Sequence, residues 1–507
     1  MSMFVDATQP LADLSHLRSD PQLLAAIPIG FARQQGVVVL VGPGGPVLAM
    51  TRPDPQTLDI VRRSLGRRLP GVFASAEQVR TAIDRVYQQI EVDSASLVDP
   101  NSLDSTDPVL SSREDLLDSG DRAPVIKLVN TLLYEALRAQ ASDIHLQPTE
   151  QSLQVRMRID GMLHDWLSVP LAMRDHMLSR FKVMAGMNLA EKRLAQDGRS
   201  AATVGDRVVD LRFSSVPSSF GERIVVRLLD KQAKLFRLSD VGMPAELAAR
   251  FARLITADHG IILVTGPTGS GKTTTLYGAL QELNTTRSNI ITLEDPVEYS
   301  LPGISQIQVS DKKGMTFASG LRNVLRQDPD VIMVGEIRDR ETASMAIQSA
   351  LTGHLVFSTL HTNDAATAVT RLLDLSVEPY LLASSVIGVL AQRLVRLTCP
   401  GCRISSPLPN EVFEDAGVSD REGNWCRGAG CARCRGTGFK GRRGIFELLE
   451  ITEPVRSLIV QRATAAEIKQ LAISGGMSSL RDQGIARARE GITTLDEIFR
   501  VTMRTSG

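Results

Sequence analysis

The segment Gly266-Pro267-Thr268-Gly269-Ser270-Gly271-Lys272-Thr273 constrains this chain more than any other, because its spacing, GxxxxGK[ST], belongs where a strand turns into a helix. The apolar run 261–264 precedes it and the helix-compatible run 274–283, opening at Thr274, follows it. Each residue type has a physical task. Glycines let the backbone curl so that successive N–H groups and the helix N-terminus face phosphate oxygens. Lys272 brings positive charge to the β and γ phosphates, and the Thr273 hydroxyl is a ligand for Mg²⁺. Such a loop implies an α/β domain for a nucleoside triphosphate, and the lack of a guanine-reading Asn-Lys-x-Asp stretch favours ATP.

Other apolar runs carry ionisable residues at their ends, where open α/β sheets collect ligands. Residues 331–334 run into Gly335-Glu336, and Glu336 is placed to hold a Mg²⁺ hydration shell or to position water. Residues 290–293 run into Glu294, Asp295 and Glu298. Carboxylates this dense beside phosphates would repel them unless a metal ion or a proton transfer gave them work, which makes Glu298 a candidate base for the attacking water. Salt-bridged loop carboxylates are the alternative. His354 and His361 bracket the apolar run 355–360, as catalytic groups or as satisfied structural histidines. Arg322 and Arg326 fall on one helical face, and Arg212 and Arg227 on the polar face of alternating strands. Such arginines are either solvated or delivered to a transferring phosphate across a subunit boundary.

Cys399-Pro-Gly-Cys402 and Cys431-Ala-Arg-Cys434 form two CxxC knuckles with 28 residues between them. Four thiolates complete a tetrahedral shell for Zn²⁺, a closed and therefore structural site, with reduced thiols or a redox pair as the other reading. The long separation requires a threaded subdomain, and Cys426 is left over. Between residues 393 and 443 there are ten basic and five acidic residues, either a docking surface for anions such as lipid headgroups or a solvated surround for the thiolates.

At 507 residues the chain has room for about three domains of roughly 150 residues each. Residues 91–121 hold nine acids against one arginine, with seven serines and two prolines, the composition of a self-repelling linker. This sets off an N-terminal module of about 90 residues, expected to dock on a partner. Its helix is expected over 76–90, with Val79, Ile83, Val86 and Ile90 on one face. After the linker, Pro124 opens a helix, and the alternating runs 153–159, 207–213 and 223–229 read as a half-exposed sheet with Asp160-Gly161 as a tight hairpin turn. No run reaches the ~18 apolar residues of a membrane span and residues 1–10 lack a signal-peptide pattern, so a cytosolic protein is expected. The 57 Lys+Arg balance 57 Asp+Glu, which argues against a nucleic-acid coat. Neutrality is an average, because without the linker the chain carries 56 basic and 48 acidic residues.

Taken in order, Ser142-Asp143-Ile144-His145, Arg156-Met157-Arg158-Ile159-Asp160-Gly161, Gly221-Glu222-Arg223, the phosphate loop, Glu294 through Tyr299, Val334 through Asp339, and Gly353-His354 through Asp364 resemble the type II/type IV secretion ATPase superfamily. The four-cysteine insert and the short N-terminal module resemble its E-type ATPases of type II secretion. The resemblance implies a multidomain α/β chain: a docking domain (1–90), an acidic flexible linker (91–121), a PAS-like α+β domain (122–235) and a RecA-like motor (236–507) with a zinc subdomain (397–441). It implies a homo-hexamer that uses ATP, Mg²⁺ and Zn²⁺ to drive pseudopilus assembly, peripheral to the inner membrane on its cytoplasmic side. Its implied partners are the cytoplasmic domain of the L-type protein, the F-type platform protein and acidic phospholipid, with no nucleic acid. Glu294, Asp295 and Glu298 match the family's Asp box, and His354 and His361 bound its His box. Arg212, Arg227, Arg322, Arg326, Arg338 and Arg442 match arginines that reach nucleotide phosphates. A type IV pilus assembly ATPase is the nearest alternative, and a zinc-dependent nucleic-acid-binding protein with a regulatory nucleotide site is the alternative of a different class.

Overall fold

The computed structural model describes residues 124–502 apart from 205–206, 231–237, 239, 285–287, 311–313, 407–409, 417 and 419–420, together with 35–42, 45–51, 69–94, 114–115 and scattered positions between 14 and 65. The expected linker lies largely outside the described residues. Its first four residues end a helix, and Glu114–Asp115 form a short strand. The chain divides into two compact units, Met1–Gln232 and Ala233–Gly507.

The first unit opens with an antiparallel hairpin, β1 (Val37–Gly42) and β2 (Gly45–Met50), with β3 (Gly71–Phe73) parallel to β2. Helix α1 (Ala76–Ser94) buries Val79, Ile83 and Val86 in this module's core, the face its spacing predicts. A seven-stranded sheet follows, built from β4 (Glu114–Asp115), β5 (Asp143–Pro148), β6 (Ser152–Ile159), β7 (Met162–Pro170), β8 (Gln196–Val204), β9 (Arg207–Ser218) and β10 (Gly221–Asp230), in the order β4-β8-β9-β10-β5-β6-β7. Helices α2 (Pro124–Arg138) and α3 (Leu171–Met184) contribute apolar side chains to the core of this sheet. Asp160 and Gly161, between β6 and β7, have φ of 49° and 83°, as the tightest hairpin turn demands of both central residues.

Alternation along these strands sends Ile144, Val155, Leu211, Ile224 and Val226 into the core and the charged residues to the opposite face. A charged pair, Lys182 and Glu222, is on the buried side. Lys182 of α3, 1% exposed, donates to Glu222 Oε1 at 2.7 Å and to the Glu191 carbonyl at 2.6 Å, and Glu222 also accepts from Ser215 Oγ at 3.2 Å.

The second unit is a seven-stranded sheet in the order β13-β12-β14-β15-β11-β16-β19. In chain order its strands and first helices are α4 (Ala245–Ile255), β11 (Gly260–Thr265), α5 (Lys272–Leu283), β12 (Ile290–Glu294), β13 (Ser305–Gln308), α6 (Phe317–Val324), β14 (Val331–Val334), α7 (Arg340–Leu351), β15 (Leu355–Leu360), α8 (Ala365–Asp374), α9 (Pro379–Ser385), β16 (Val386–Thr398) and, after an insert, β19 (Phe439–Glu450). All neighbours are parallel except β16 and β19. Every residue of β11, β14 and β15 is buried, as expected where helices cover both faces of a parallel sheet. Helices α4 and α5 pack on one face with Phe357, Met333 and Phe446, and α6 to α9 pack on the other with Ile332, Val334 and Val356.

The insert between β16 and β19 holds β17 (Arg403–Ser405), α10 (Asn410–Ala416) and β18 (Cys426–Gly428), with Phe413 edge-on to Trp425 at 5.2 Å. Helices α11 (Glu453–Val460), α12 (Ala465–Ser474), α13 (Leu480–Arg489) and α14 (Leu495–Thr502) complete the unit. No helix among the described residues is long and apolar enough to cross a membrane.

The buried Lys182–Glu222 pair yields a stability test. Glu222→Leu leaves an ammonium buried without its counter-charge, and urea unfolding followed by circular dichroism should show a loss of about 3–5 kcal/mol. A loss below about 1 kcal/mol would mean that Lys182 escapes to solvent at little cost.

Candidate active site

Four buried strands end side by side, and their carboxyl ends carry the chemistry. Strand β11 runs directly into the phosphate loop, and α5 begins at Lys272, so the free N–H groups of its first turn open toward the loop. Gly266 (φ 150°) cannot be replaced without strain, because a Cβ there would lie 2.4 Å from the carbonyl oxygen of Gln392. The Lys272 ammonium lies over the loop, donating to the carbonyls of Gly266 at 2.7 Å and Pro267 at 3.3 Å. Burial, with a smaller push from Arg393, lowers its pKa to about 8 against the opposing pull of Glu336. A lysine with so low a pKa has spare affinity for an anion.

Strand β14 ends at Val334, and Glu336 follows two residues on. Its carboxylate pairs with Arg338 through Oε1 and lies 3.5 Å from His361 Nε2 through Oε2. The loop bearing it is tied to β15 by Thr359 Oγ1 donating to the Gly335 carbonyl at 2.6 Å and by Ile337 N–H donating to the Thr359 carbonyl at 3.0 Å. His361 follows β15, the strand between β14 and β11, which puts the histidine between Glu336 and Lys272. Burial and the Lys272 charge lower its pKa, outweighing Glu336, so its imidazole is neutral near pH 7. The sheet order thus brings together Lys272, Glu336, Arg338 and His361, four residues the sequence singles out.

Other expected residues lie elsewhere. Glu294, at the end of β12, is 4% exposed, and its carboxylate accepts from Tyr277 Oη, from Thr292 Oγ1 at 2.5 Å and from Gln306 Nε2 at 3.0 Å. In this arrangement it anchors the strand end inside the protein. Asp295 is exposed and Glu298 half-buried. Burial, then Glu294 and Glu298, push Tyr299 up to about 12. His354 stands before β15, six residues and about 20 Å along the strand from the phosphate-loop edge. Its Nδ1 lies 2.8 Å from the Ser349 carbonyl, closing the turn after α7, at the opposite end of the strand from the phosphate loop. Arg322 pairs with Glu341, and Arg326 Nη2 donates to Asn323 Oδ1 at 2.5 Å, both exposed. Arg442 is exposed on β19.

In the first unit, Arg212 and Arg227 occupy one cross-strand row of the polar sheet face, Arg199-Arg212-Arg227-Asp143-Arg158. Asp143 accepts from Arg227 Nε at 3.0 Å and stands 3.7 Å from Arg158 Nε. Like charges directly opposite one another cost stability, so four arginines against one aspartate mark a surface suited to an anion.

The four cysteines Cys399, Cys402, Cys431 and Cys434 converge at the far end of the β16–β19 hairpin, all sulfurs within 4.8 Å of one another. Three of the sulfur–sulfur distances are 3.7–3.9 Å. A tetrahedron with Zn–S of about 2.3 Å has edges of about 3.8 Å, so the set fits Zn²⁺. The N–H groups of Cys431 and Gly438 donate to Cys434 Sγ at 3.2 and 3.3 Å, which suits a thiolate.

Sequence reasoning missed the residues that hold the site from behind. Arg393 Nη2 donates to Asn363 Oδ1 at 2.9 Å, and buried Glu447 Oε1 accepts from Ala365 N–H at 2.9 Å, fixing the segment after His361. Lys469 reaches Asp364 at 3.1 Å and Glu447 at 3.8 Å. The available signal was polar residues inside apolar runs, Gln392-Arg393 within β16 and Glu447 within β19.

Comparison with known proteins fits this geometry. The family model described as type II/IV secretion system protein matches residues 118–500, and the MshEN domain model matches residues 8–93. The type II secretion system ATPase E of Vibrio cholerae is 48% identical over 434 residues, covering 84% of this chain and 86% of that protein. The type II secretion system protein E of Aeromonas hydrophila is 46% identical over 490 residues, covering 95% and 97%. Among solved structures, the pilus retraction motor PilT with bound ADP is 27% identical with a TM-score of 0.50, over 73% of this chain and 95% of that one. With a complete phosphate loop, an acid at the end of the next strand but one and similarity along nearly its whole length, the chain belongs to the type II/IV secretion system protein family, as a secretion ATPase of the E type.

Proposed function

We propose that this chain forms a homo-hexameric ring on the cytoplasmic face of the inner membrane and uses ATP hydrolysis to drive pseudopilus assembly for type II secretion. The observation that carries the reading is the meeting of Lys272, Glu336, Arg338 and His361 beside the phosphate loop at the carboxyl ends of three adjacent strands. In this reading, residues 266–274 hold the triphosphate, with Lys272 leaving the loop carbonyls for the phosphates. The hydroxyl of Thr273 and the carboxylate of Glu336 are hard oxygen donors of the kind Mg²⁺ takes, and that ion would neutralise charge on the phosphates. Glu336 and Glu298 orient and deprotonate the attacking water, and His361 reports the state of the phosphate end to Glu336. Asp295 lies at the rim, and Glu294 acts by holding the β12 end.

Arg338 serves its own subunit. Arg212, Arg227, Arg322, Arg326 and Arg442 suit delivery to phosphates across a subunit boundary, with Asp143 orienting Arg227 until an anion arrives. His354 serves the same boundary. The four cysteines would hold a structural Zn²⁺, and the basic residues around them suit acidic phospholipid or a membrane component such as the F-type platform protein. The N-terminal module, separated by residues 91–121, docks on the cytoplasmic domain of the L-type protein. The division into 1–90, 91–121, 122–235 and 236–507, with the cysteine subdomain at 397–441, is part of the same proposal.

Glu336→Gln should bind MgADP as the wild type does while its turnover falls about a hundredfold or more, and Glu298→Gln should lose about tenfold or more in a steady-state phosphate-release assay. Turnover near wild type in both variants would remove the mechanism. Nucleotide phosphates raise the pKa of a nearby lysine, so binding above about pH 8 should take up a proton and weaken as pH rises further, whereas below that pH Lys272 is already charged. Calorimetry of MgADP binding at about pH 9 in two buffers of different ionisation enthalpy measures this uptake, and equal heats in both would contradict it. Elemental analysis should find one zinc per chain, and Cys431→Ser should abolish it and lower the melting temperature. Full zinc in that variant would rule out the four-sulfur site.

A further inference from the structure

We propose that Gln392 is a positioning residue for the phosphate loop, setting from the neighbouring strand the direction in which the loop presents its backbone N–H groups. The inference rests on the reading of residues 266–273 as the triphosphate site. Gln392 lies in the middle of β16, 2% exposed, with Leu390 and Leu394 flanking it on the same side of the strand. Both ends of its amide are used. Nε2 donates to the carbonyl of Ser270 at 2.8 Å, and Oε1 accepts from Thr275 Oγ1, in the first turn of α5, at 2.7 Å. A carbonyl oxygen only accepts, so the bond to Ser270 fixes which way the amide faces and leaves its oxygen for the threonine hydroxyl.

The consequence follows from the planarity of the peptide. The carbonyl of Ser270 and the N–H of Gly271 belong to one trans unit and point in opposite directions. Holding the carbonyl against β16 therefore turns the Gly271 N–H away from β16, and an N–H so oriented belongs to the set that grips phosphate oxygens. The loop is also shaped around this residue. A Cβ on Gly271 (φ 87°) would come within 2.8 Å of Gln392 Nε2, and one on Gly266 within 2.4 Å of the Gln392 carbonyl oxygen. The side chain thus meets the last loop glycine while the backbone meets the first, and Thr275 fastens the start of α5 to the same amide. Gln392 reaches neither Lys272 nor Thr273, so its effect on nucleotide passes through the loop.

The test compares the full-length wild type with Gln392→Met, which keeps the volume and removes both hydrogen bonds, and with Thr275→Val, which removes one. MgADP affinity is measured by calorimetry well below the melting temperature, alongside steady-state ATP turnover and the thermal melt. Loss of two buried hydrogen bonds that preset the loop should weaken MgADP binding and raise the KM for ATP about tenfold in Gln392→Met, and two- to fivefold in Thr275→Val. Because both bonds act through one amide, the double variant should bind little worse than Gln392→Met alone. A purely structural role would lower the melting temperature and leave affinity unchanged. Binding within twofold of wild type in a folded Gln392→Met overturns the proposal, as does unchanged binding in Thr275→Val should the methionine variant fail to fold. If the wild type itself bound no MgADP, the reading of the loop would fall first, separately from the role of Gln392.

Discussion

Strand Gly260–Thr265 is buried at all six positions, between the wholly buried β15 and the nearly wholly buried first half of β16. A sheet covered on both faces offers no side chain along its length to a charged substrate, because burying an unpaired charge costs far more than the sheet could recover. Chemistry is left to the strand ends, where backbone N–H groups lack partners and polar side chains reach solvent. The order β12-β14-β15-β11 then decides which residues meet. Because β15 lies between β14 and β11, His361 stands beside Glu336, and the Glu336 charge reaches Lys272. Glu336 raises the pKa of both Lys272 and His361, and Lys272 lowers that of His361, so the site is electrostatically coupled.

The hairpin of β16 and β19 gives that unit a rigid back. Its near half carries Gln392 against the phosphate loop, Arg393 against Asn363 and Glu447 against the N-terminus of α8. Its far half ends in the four-sulfur cluster, where the chain leaves at Cys399 and returns at Phe439. A metal there would close a long excursion of the chain at the one point where the hairpin would otherwise fray. Stability at the cysteine end and order at the nucleotide end are thus carried by one pair of strands.

The first unit solves a different problem. Among the described residues of that unit, α2 and α3 pack on one face of its seven-stranded sheet, and alternation puts a row of arginines on the other. The balance of 57 basic and 57 acidic residues conceals this, because acids concentrate in residues 91–121 while arginines concentrate in rows and around the cysteines. A chain neutral overall therefore presents surfaces that are locally cationic, which suits phosphate recognition better than the coating of a polyanion.

The sequence by itself determined what depends on local geometry. The phosphate loop was legible because strand, glycine turn and helix are contiguous, the Asp160-Gly161 hairpin because both residues tolerate positive φ, and the cysteine pairs because a CxxC turn presets two thiols. Tertiary structure alone decided which strand ends are neighbours and which way each strand runs. Glu294 and His354 showed the same local signals as Glu336 and His361, yet Glu294 is taken up by Tyr277, Thr292 and Gln306, and His354 sits at the opposite end of its strand from the loop. Gln392 and Glu447 gave the converse case, polar residues inside apolar runs whose partners lie 122 and 82 residues away in the chain. Local pattern records what a residue can do, whereas its partner is set by long-range pairing in a sheet whose order does not follow the chain.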